Sequence, residues 1–176
     1  PLLRYDLVRY ATLTGKEIAS QNNKEMTFGI TTNGTILNDE ILHFLKQQKI
    51  GMIFGFDGPA RIQNANRAFK DNRGSFKTVM DNLNLARKWR GNGGFTVRAT
   101  FTKYQADTLS EIAKFFFENG FRSVSIENAF VPHFSDLYFH KEAIELLKHD
   151  YDKFIQYYYR LFLNREYYHF FHFSVT

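Results

Sequence analysis

Short polar residues stand directly after four apolar runs of this sequence, and they are the residues that could do chemistry. Their hydroxyl, amide and carboxylate groups suit a ligand with hydroxyls, amines or a carboxylate, and the glycines among them let a ligand approach the backbone. If the four runs are parallel strands, these residues share one rim, because ligands of such folds bind at the carboxyl ends of the strands. The groups are Thr32-Asn33-Gly34, Asp57-Gly58, Thr100 with Thr102, and Glu127-Asn128.

The four apolar runs alternate with segments of helical periodicity. Strands are predicted at residues 26–31, 51–56, 95–102 and 122–127. Helix caps are predicted at Asn38, Ser75 and Thr108, and helices are predicted to end near Gly91 and Gly120. This alternation predicts an α/β fold of parallel strands joined by right-handed helical crossovers, in an open sheet or a barrel.

The remaining segments are less regular. Residues 60–74 are predicted to form a long polar connection, residues 140–164 a long helix, and residues 167–175 a final strand. A partial sheet of this kind is expected to expose an edge strand and an apolar inner face, and therefore to associate readily.

Composition excludes several classes of protein and site. The 176 residues are 44% hydrophobic, which suits one globular domain or a large piece of one, and no apolar run is long enough for a membrane span. There is no cysteine, so disulfides, thiolate nucleophiles and thiolate metal sites are excluded within these residues. His169 and His172 lie three apart on a predicted strand, where alternation sends them to opposite faces, so no metal site is predicted.

The formal charge of +5 is unevenly distributed along the chain. Between Arg61 and Lys103 there are ten basic residues and two acidic ones. The aromatic residues of this stretch have core-like spacing and do not alternate with the basic residues as stacking platforms would. We therefore expect a solvated helix surface there and no nucleic-acid partner.

Five segments, TTNGTIL, FGFDGP, NANRAFKDNRGSFKTVMDNL, VRATFTK and GFRSVSIENA, occur in the order and spacing of the radical S-adenosylmethionine (radical SAM) enzymes. The chain resembles the peptide-modifying branch whose members carry a C-terminal SPASM or related auxiliary-cluster domain. The likeness covers about residues 1–130. The final REYYHFFHFSV resembles a segment of thioether-forming peptide maturases, and anaerobic sulfatase-maturating enzymes share most of the same motifs.

The resemblance implies a partial (β/α)6 barrel that contains strands three to six, followed by a C-terminal helix and strand. Residues 1–130 would be the partial barrel, and residues 131–176 would lead toward a missing auxiliary-cluster domain. The chain starts at Pro1 without an initiator methionine, so we expect N- and C-terminal parts of a parent chain to lie outside it.

The activity implied by the resemblance is cleavage of S-adenosylmethionine (AdoMet) to a 5′-deoxyadenosyl radical, which modifies a peptide or protein side chain. In the family a 4Fe-4S cluster held by cysteines reduces AdoMet. This chain has no cysteine, so the cluster ligands are expected outside it, and the chain alone is expected to be inactive. The family chemistry also implies a cytoplasmic location.

The resemblance assigns cofactor contacts to eight residues and a catalytic role to none. Asn33 and Gly34 match the third-strand turn beside the methionyl end of AdoMet, and Asp57 matches a rim residue. Gly55 stands where the family usually has a serine that contacts the cofactor, so this contact is expected to be lost or replaced by water. The remaining matches are Arg67 to the cofactor carboxylate, Val124 or Ile126 to adenine, and Arg98 to a recurrent pattern without an assigned contact.

Simpler interpretations remain open for each position. Asn33-Gly34 is a favoured turn pair and Asp57 could begin a turn, whatever the function. Arg67 could be an unpaired surface cation, and Val124 and Ile126 are core residues first. A second hypothesis for the whole chain is a cluster-free barrel that binds a peptide or nucleotide without catalysis.

Overall fold

The computed structural model describes residues 1–92 and 94–173, which form one parallel sheet with helices in the crossovers. The strands are β1 (Gly29–Thr32), β2 (Gly51–Gly55), β3 (Thr96–Phe101), β4 (Ser123–Asn128) and β5 (His169–Phe170). The helices are α1 (Tyr5–Gln21), α2 (Asp39–Gln47), α3 (Ala60–Asn66), α4 (Phe76–Arg90), α5 (Leu109–Glu118) and α6 (Lys141–Leu163). Short 3-10 turns cover Leu2–Arg4, Lys103–Gln105 and Phe171–Phe173.

The sheet has the strand order β1-β2-β3-β4-β5, and every neighbouring pair is parallel. Spatial order follows sequence order, as expected when each helix returns the chain to the next strand position. Among the described residues β1 and β5 do not pair with each other, so the sheet is open. The predicted α/β fold with a parallel, unclosed sheet is confirmed.

The two faces of the sheet differ sharply in polarity. In β3 the residues Val97, Ala99 and Phe101 are buried against the helices, whereas the alternate side chains are half-buried on the other face. We call the second face the open face. Because paired residues of parallel strands point the same way, the register places mainly polar or small residues on it. They are Thr31, Ile53, Gly55, Thr96, Arg98, Thr100, Ser123, Ser125 and Glu127. The prediction of an apolar inner face is therefore wrong.

The connection between β2 and α4 contains a helix that the sequence analysis missed. Residues 60–74 were predicted as a polar connection, but α3 occupies Ala60–Asn66. Pro59 precedes it with a φ of −55°, which suits a helix start. Of its side chains only Ile62 and Gln63 are buried, so the segment lacks the apolar repeat that identifies a helix.

Helix caps were predicted correctly at one of three positions. The Asn38 side chain accepts a hydrogen bond from the Ile41 N–H at 2.8 Å, as predicted. The predicted Ser75 cap is wrong, because the Asn64 side chain accepts from the Phe76 N–H at 2.9 Å and thereby caps α4. Asn64 belongs to α3, so this cap depends on the helix that the sequence analysis missed.

The N-terminus of α5 is capped from another helix. The Thr108 hydroxyl donates to the Gln105 carbonyl and does not cap the helix, so the predicted Thr108 cap is wrong. Instead the buried Asp150 carboxylate of α6 accepts from the Ser110 N–H at 2.7 Å and from the Ser110 hydroxyl at 2.6 Å. A negative charge at this position also complements the helix dipole.

We expect Asp150→Ala to lower the free energy of unfolding by about 2 kcal/mol, because it leaves the partly buried N–H of Ser110 without an acceptor. Chemical denaturation followed by circular dichroism measures the change. Asp152→Ala is the matched control, since Asp152 is exposed on the same helix, and it should leave the unfolding midpoint unchanged. Equal midpoints for the two variants would show that the Asp150 cap contributes nothing.

The C-terminal part of the described chain packs onto the sheet. The predicted strand at 167–175 is shorter than expected, because β5 has two residues and a 3-10 turn follows it; residues 174–176 lie outside the described residues. Phe154 of α6 is fully buried and packs on Phe117 of α5 and Phe170 of β5. The predicted division at residue 130 stays a prediction. None of the described helices combines the length and apolarity needed to cross a bilayer.

Candidate functional site

Asp57 lies at the centre of a hydrogen-bond network at the carboxyl end of β2. Its carboxylate accepts two bonds from Arg67, from Nε at 2.8 Å and from Nη2 at 3.1 Å, in the two-pronged geometry typical of this pair. The Thr100 backbone N–H donates at 3.0 Å and the Asn66 side chain at 3.3 Å. The Phe56 N–H bonds to the Arg98 carbonyl, which extends the β2–β3 pairing and brings Asp57 alongside Thr100.

The ion pair is buried on one side only. The Asp57 side chain is 2% exposed, whereas the Arg67 side chain is 34% exposed. A buried carboxylate is stable only when donors replace its water, and four donors do so for Asp57. Arg67 therefore compensates the charge of Asp57 and still reaches solvent.

Gln63 holds the loop around Asp57 in place. It is fully buried, and its side-chain oxygen accepts from the Asp57 N–H at 2.8 Å. Its amide nitrogen donates to the Ser75 hydroxyl at 2.8 Å, which ties the start of α4 to the end of β2. Gln63 was not predicted from the sequence, because its position on α3 carries no periodic signal that would identify it.

Gly55 lies directly beneath the Arg67 guanidinium. A Cβ atom at residue 55 would come within 3.3 Å of Arg67 Nη1 and 3.6 Å of Cζ. A side chain at residue 55 would therefore contact the guanidinium of Arg67. The expectation that the serine contact with the cofactor is lost or replaced by water stays a prediction.

Two hollows flank Arg67 at the carboxyl edge of the sheet. The main hollow has a volume of about 710 Å³, and the side hollow about 230 Å³. Arg67 lines both of them. The polar lining residues of the main hollow are Asp57, Asn66, Arg67, Thr100, Thr102, Tyr104 and Gln105, and those of the side hollow are Asn33, Thr35, Gln63, Arg67 and Ser75.

Asn33 and Gly34 form a turn beside the side hollow. The Asn33 side-chain oxygen accepts from the Thr35 N–H at 3.3 Å and from the Thr35 hydroxyl at 3.0 Å. Gly34 has a φ of +71°, and a Cβ there would lie 3.2 Å from both Phe54 and Val79. The pair thus has a structural role in the turn, and Asn33 also lines the side hollow.

The structure does not bring the other predicted contacts into these hollows. Arg98 is half-buried on the open face, opposite Gly55 in the register, but it lines neither hollow. Val124 and Ile126 lie on the helix-covered face of β4 and are 0% and 3% exposed. Their side chains are therefore part of the hydrophobic core and point away from the open face, because side chains alternate along a strand.

The segment between β4 and α6 borders the main hollow. Ala129 and Leu137 line it, and neither was predicted. Asp136 fixes this segment to the β3–α5 connection by accepting from Lys103 Nζ at 3.0 Å and from the Tyr104 hydroxyl. These contacts join residues more than 30 positions apart in the chain, so no local pattern could indicate them.

Much of the basic stretch between Arg61 and Lys103 is compensated in the fold. Five of its cations form ion pairs, and two others, Arg87 and Arg90, are partly buried and donate to backbone carbonyls. Burial lowers the pKa of both of these guanidinium groups. The ion pairs are Arg61–Glu111, Arg67–Asp57, Arg73–Asp71, Lys77–Asp81 and Lys103–Asp136.

Comparison with known proteins gives distant relatives. No family model matches the chain. It is 26% identical over 146 residues to a cysteine-type anaerobic sulfatase-maturating enzyme of Clostridium perfringens (strain ATCC 13124), covering 81% of this chain and 38% of that protein. It is 25% identical over 100 residues to the enzyme of the same description from Clostridium novyi (strain NT), covering 57% of this chain and 26% of that protein.

Solved structures share the fold. Native anSMEcpe with bound AdoMet and Kp18Cys peptide superposes with a TM-score of 0.74 at 21% identity, over 85% of this chain and 41% of that chain. Native anSMEcpe with bound AdoMet gives a TM-score of 0.73 at 20% identity. The open sheet thus matches part of the radical SAM barrel of these neighbours, as predicted. The predicted resemblance is also confirmed, because the homologues of this chain are anaerobic sulfatase-maturating enzymes, which are radical SAM proteins.

Proposed function

We propose that this chain forms part of the barrel of a radical SAM enzyme that cleaves AdoMet and modifies a peptide or protein side chain. One observation carries the proposal. The carboxyl ends of β1, β2 and β3 bring Asn33, Asp57 and Thr100 to two hollows that meet at Arg67. The homology supports the reaction class, and the chain spans less than half the length of the relatives that it matches.

The hollows fit AdoMet in size and chemistry. The main hollow, at about 710 Å³, lies within the roughly 300–1,000 Å³ typical of small-molecule sites. Hydroxyl and amide groups of Thr100, Thr102 and Asn66 suit ribose hydroxyls and adenine nitrogens. The Arg67 guanidinium provides N–H donors for a carboxylate. The predicted contact of the Asn33-Gly34 turn with the cofactor is part of this proposal, because Asn33 lines the side hollow. Arg98 lines neither hollow and is given no contact.

The residues of this chain do not fit an iron–sulfur cluster. The sequence has no cysteine, and the described residues contain no group of three or more side chains that could hold a metal ion. A cluster that supplies the electron for AdoMet cleavage must therefore take its ligands from outside these 176 residues. What this chain contributes is binding and orientation of AdoMet, and exclusion of water from it.

The peptide substrate is proposed from the relatives. One structural neighbour is described with a bound Kp18Cys peptide as well as AdoMet. In this chain Ala129 and Leu137 give the main hollow an apolar border on the side of the β4–α6 segment. We propose that a peptide approaches over this border, in the cytoplasm as the family chemistry implies.

A cluster-free binding module is the second candidate function. The absence of cysteine favours it, and so does the fact that Arg67 is already paired with Asp57. Such a module would bind a nucleotide or peptide in the same hollows without redox chemistry.

The two functions differ in one measurable product. The full-length protein is reconstituted anaerobically with iron and sulfide, and AdoMet binding is measured by calorimetry before 5′-deoxyadenosine is assayed with a reductant. An enzyme binds AdoMet and releases 5′-deoxyadenosine. AdoMet binding without release of 5′-deoxyadenosine would support the cluster-free binding module. Absence of AdoMet binding would overturn the proposal that the hollows hold AdoMet.

A further inference from the structure

We infer that the Arg67 guanidinium acts as the side chain of residue 55, and that Gly55 is the residue that allows this. Arg67 Nη1 would then be the hydrogen-bond donor that the end of β2 presents to an oxygen acceptor of the ligand. The inference rests on the proposed AdoMet site and adds to it a positioning role for Gly55.

The first step is steric. The three atoms nearest to a Cβ at residue 55 all belong to the Arg67 guanidinium, at 3.3, 3.6 and 3.7 Å. Gly51 occupies the same strand and the same face, four residues earlier, and a Cβ there would meet only backbone atoms at 3.7 and 3.9 Å. Residue 55 is therefore restricted in size by Arg67, whereas residue 51 is not.

The second step is that the guanidinium is held in place. A flexible side chain normally moves away from a new methyl group. A Cβ at 3.3 Å requires a shift of a few tenths of an ångström, and such a shift of the guanidinium disturbs its bonds of 2.8 and 3.1 Å to Asp57. Asp57 in turn is 2% exposed and receives the Thr100 N–H at 3.0 Å. A side chain at residue 55 therefore competes with the ion pair.

The third step concerns the donors that remain. Arg67 uses Nε and Nη2 on Asp57, and Nη1 has no hydrogen-bond partner among the described residues. The Arg67 side chain is 34% exposed and lines both hollows. Its Nη1 donors, fixed above Gly55, are thus available to a carboxylate or hydroxyl oxygen of a ligand.

The test is a double-mutant cycle on the full-length protein, with AdoMet as the probe in calorimetry. Gly55→Ser and Gly55→Ala should each weaken AdoMet binding about tenfold, because each displaces Arg67. Arg67→Gln should weaken binding by at least as much. In the Arg67→Gln protein, however, Gly55→Ser should recover most of the lost affinity by supplying a hydroxyl donor, whereas Gly55→Ala should recover none. Gly51→Ala is the matched control and should change affinity less than about twofold.

The sign of the Gly55→Ser effect decides the inference. The inference is overturned if Gly55→Ser weakens AdoMet binding by the same factor in the protein with Arg67 and in the Arg67→Gln protein. It is also overturned if Gly55→Ser and Gly55→Ala give the same AdoMet affinity in the Arg67→Gln protein. A ligand-free readout separates it from the proposed function. The unfolding midpoint should fall with Gly55→Ala when Arg67 is present and stay unchanged when Arg67 is glutamine. If the unfolding midpoints show this pattern but the protein does not bind AdoMet, the steric coupling between Gly55 and Arg67 is supported and the proposed function is wrong.

Discussion

Asp57→Ala is expected to lower the free energy of unfolding by about 3 kcal/mol and to weaken AdoMet binding more than tenfold. Removal of the carboxylate leaves the Arg67 guanidinium without its partner and the Thr100 N–H without an acceptor. The stability loss is placed at the low end for a broken buried pair, because the Arg67 side chain is 34% exposed and can turn toward water. Urea denaturation and AdoMet calorimetry measure the two effects.

Two further variants control for this result. Asp57→Asn keeps the volume and one acceptor, so it should retain the fold better than alanine while losing the two-pronged bond to Arg67. Asp71→Ala removes the carboxylate of the exposed Arg73–Asp71 pair and should leave the unfolding midpoint unchanged. The role given to Asp57 is wrong if Asp57→Ala and Asp71→Ala unfold at the same midpoint.

The affinity loss has its origin in positioning rather than in direct contact. Without Asp57 the Arg67 side chain samples many rotamers, so its Nη1 donors no longer lie above Gly55. A site whose donors are held by supporting hydrogen bonds binds more tightly than one whose donors must be ordered by the ligand. Asp57→Ala should therefore weaken AdoMet binding even though both carboxylate oxygens of Asp57 accept hydrogen bonds from the protein itself.

Local sequence patterns predicted the architecture, because strands and helix ends depend mainly on residues that are neighbours in the chain. The continuous apolar run at 51–56 identified β2, and the Asn38 cap and the Gly120 end were read from residues that lie at the helix termini themselves. Alternation of strand and helix then left few parallel topologies to choose from. The polarity of the whole open face was not predicted, because it depends on the register between strands, which places Ser125 beside Arg98 and Glu127 beside Thr100.

The site was predicted in part because its residues lie at strand ends. Asn33, Asp57 and Thr100 follow from the rule that ligands bind at the carboxyl ends of parallel strands. The bond between Asp57 and Arg67 did not follow, because it depends on α3, which brings a residue ten positions away back over Gly55. A helix of seven residues with two buried side chains leaves no periodic trace in the sequence.

The other features that the sequence did not predict are hydrogen bonds between residues far apart in the chain. Asp150 caps α5 from 40 residues away, and Asp136 fixes the β4–α6 segment to Tyr104 from 32 residues away. Each is a single polar residue in a helix or loop, and nothing in its own neighbourhood distinguishes it from a solvated carboxylate. Such residues are recognised only when the packing of the helices is known.

Phe154→Ala is expected to lower the free energy of unfolding by about 4 kcal/mol, the largest loss predicted for this chain. The Phe154 ring is fully buried, and its centroid lies 4.7 Å from that of Phe170 and 6.4 Å from that of Phe117. Alanine would leave a cavity among three elements that rigid aromatic rings cannot fill. Ile155→Ala is the matched control, because the neighbouring Ile155 is 46% exposed and its truncation should leave the midpoint nearly unchanged.

The shape of the Phe154→Ala unfolding curve also tests the proposed division at residue 130. If residues 131–173 are a separate unit, the curve splits into two transitions, and the tryptophan signal of Trp89 in α4 keeps its original midpoint. If α6 and β5 fold with the sheet, fluorescence and circular dichroism shift together in one transition. We expect the single transition, because Phe154 packs directly on α5, and α5 packs on β4, which pairs with β3. A split curve with an unmoved Trp89 midpoint would support a division of the chain at residue 130.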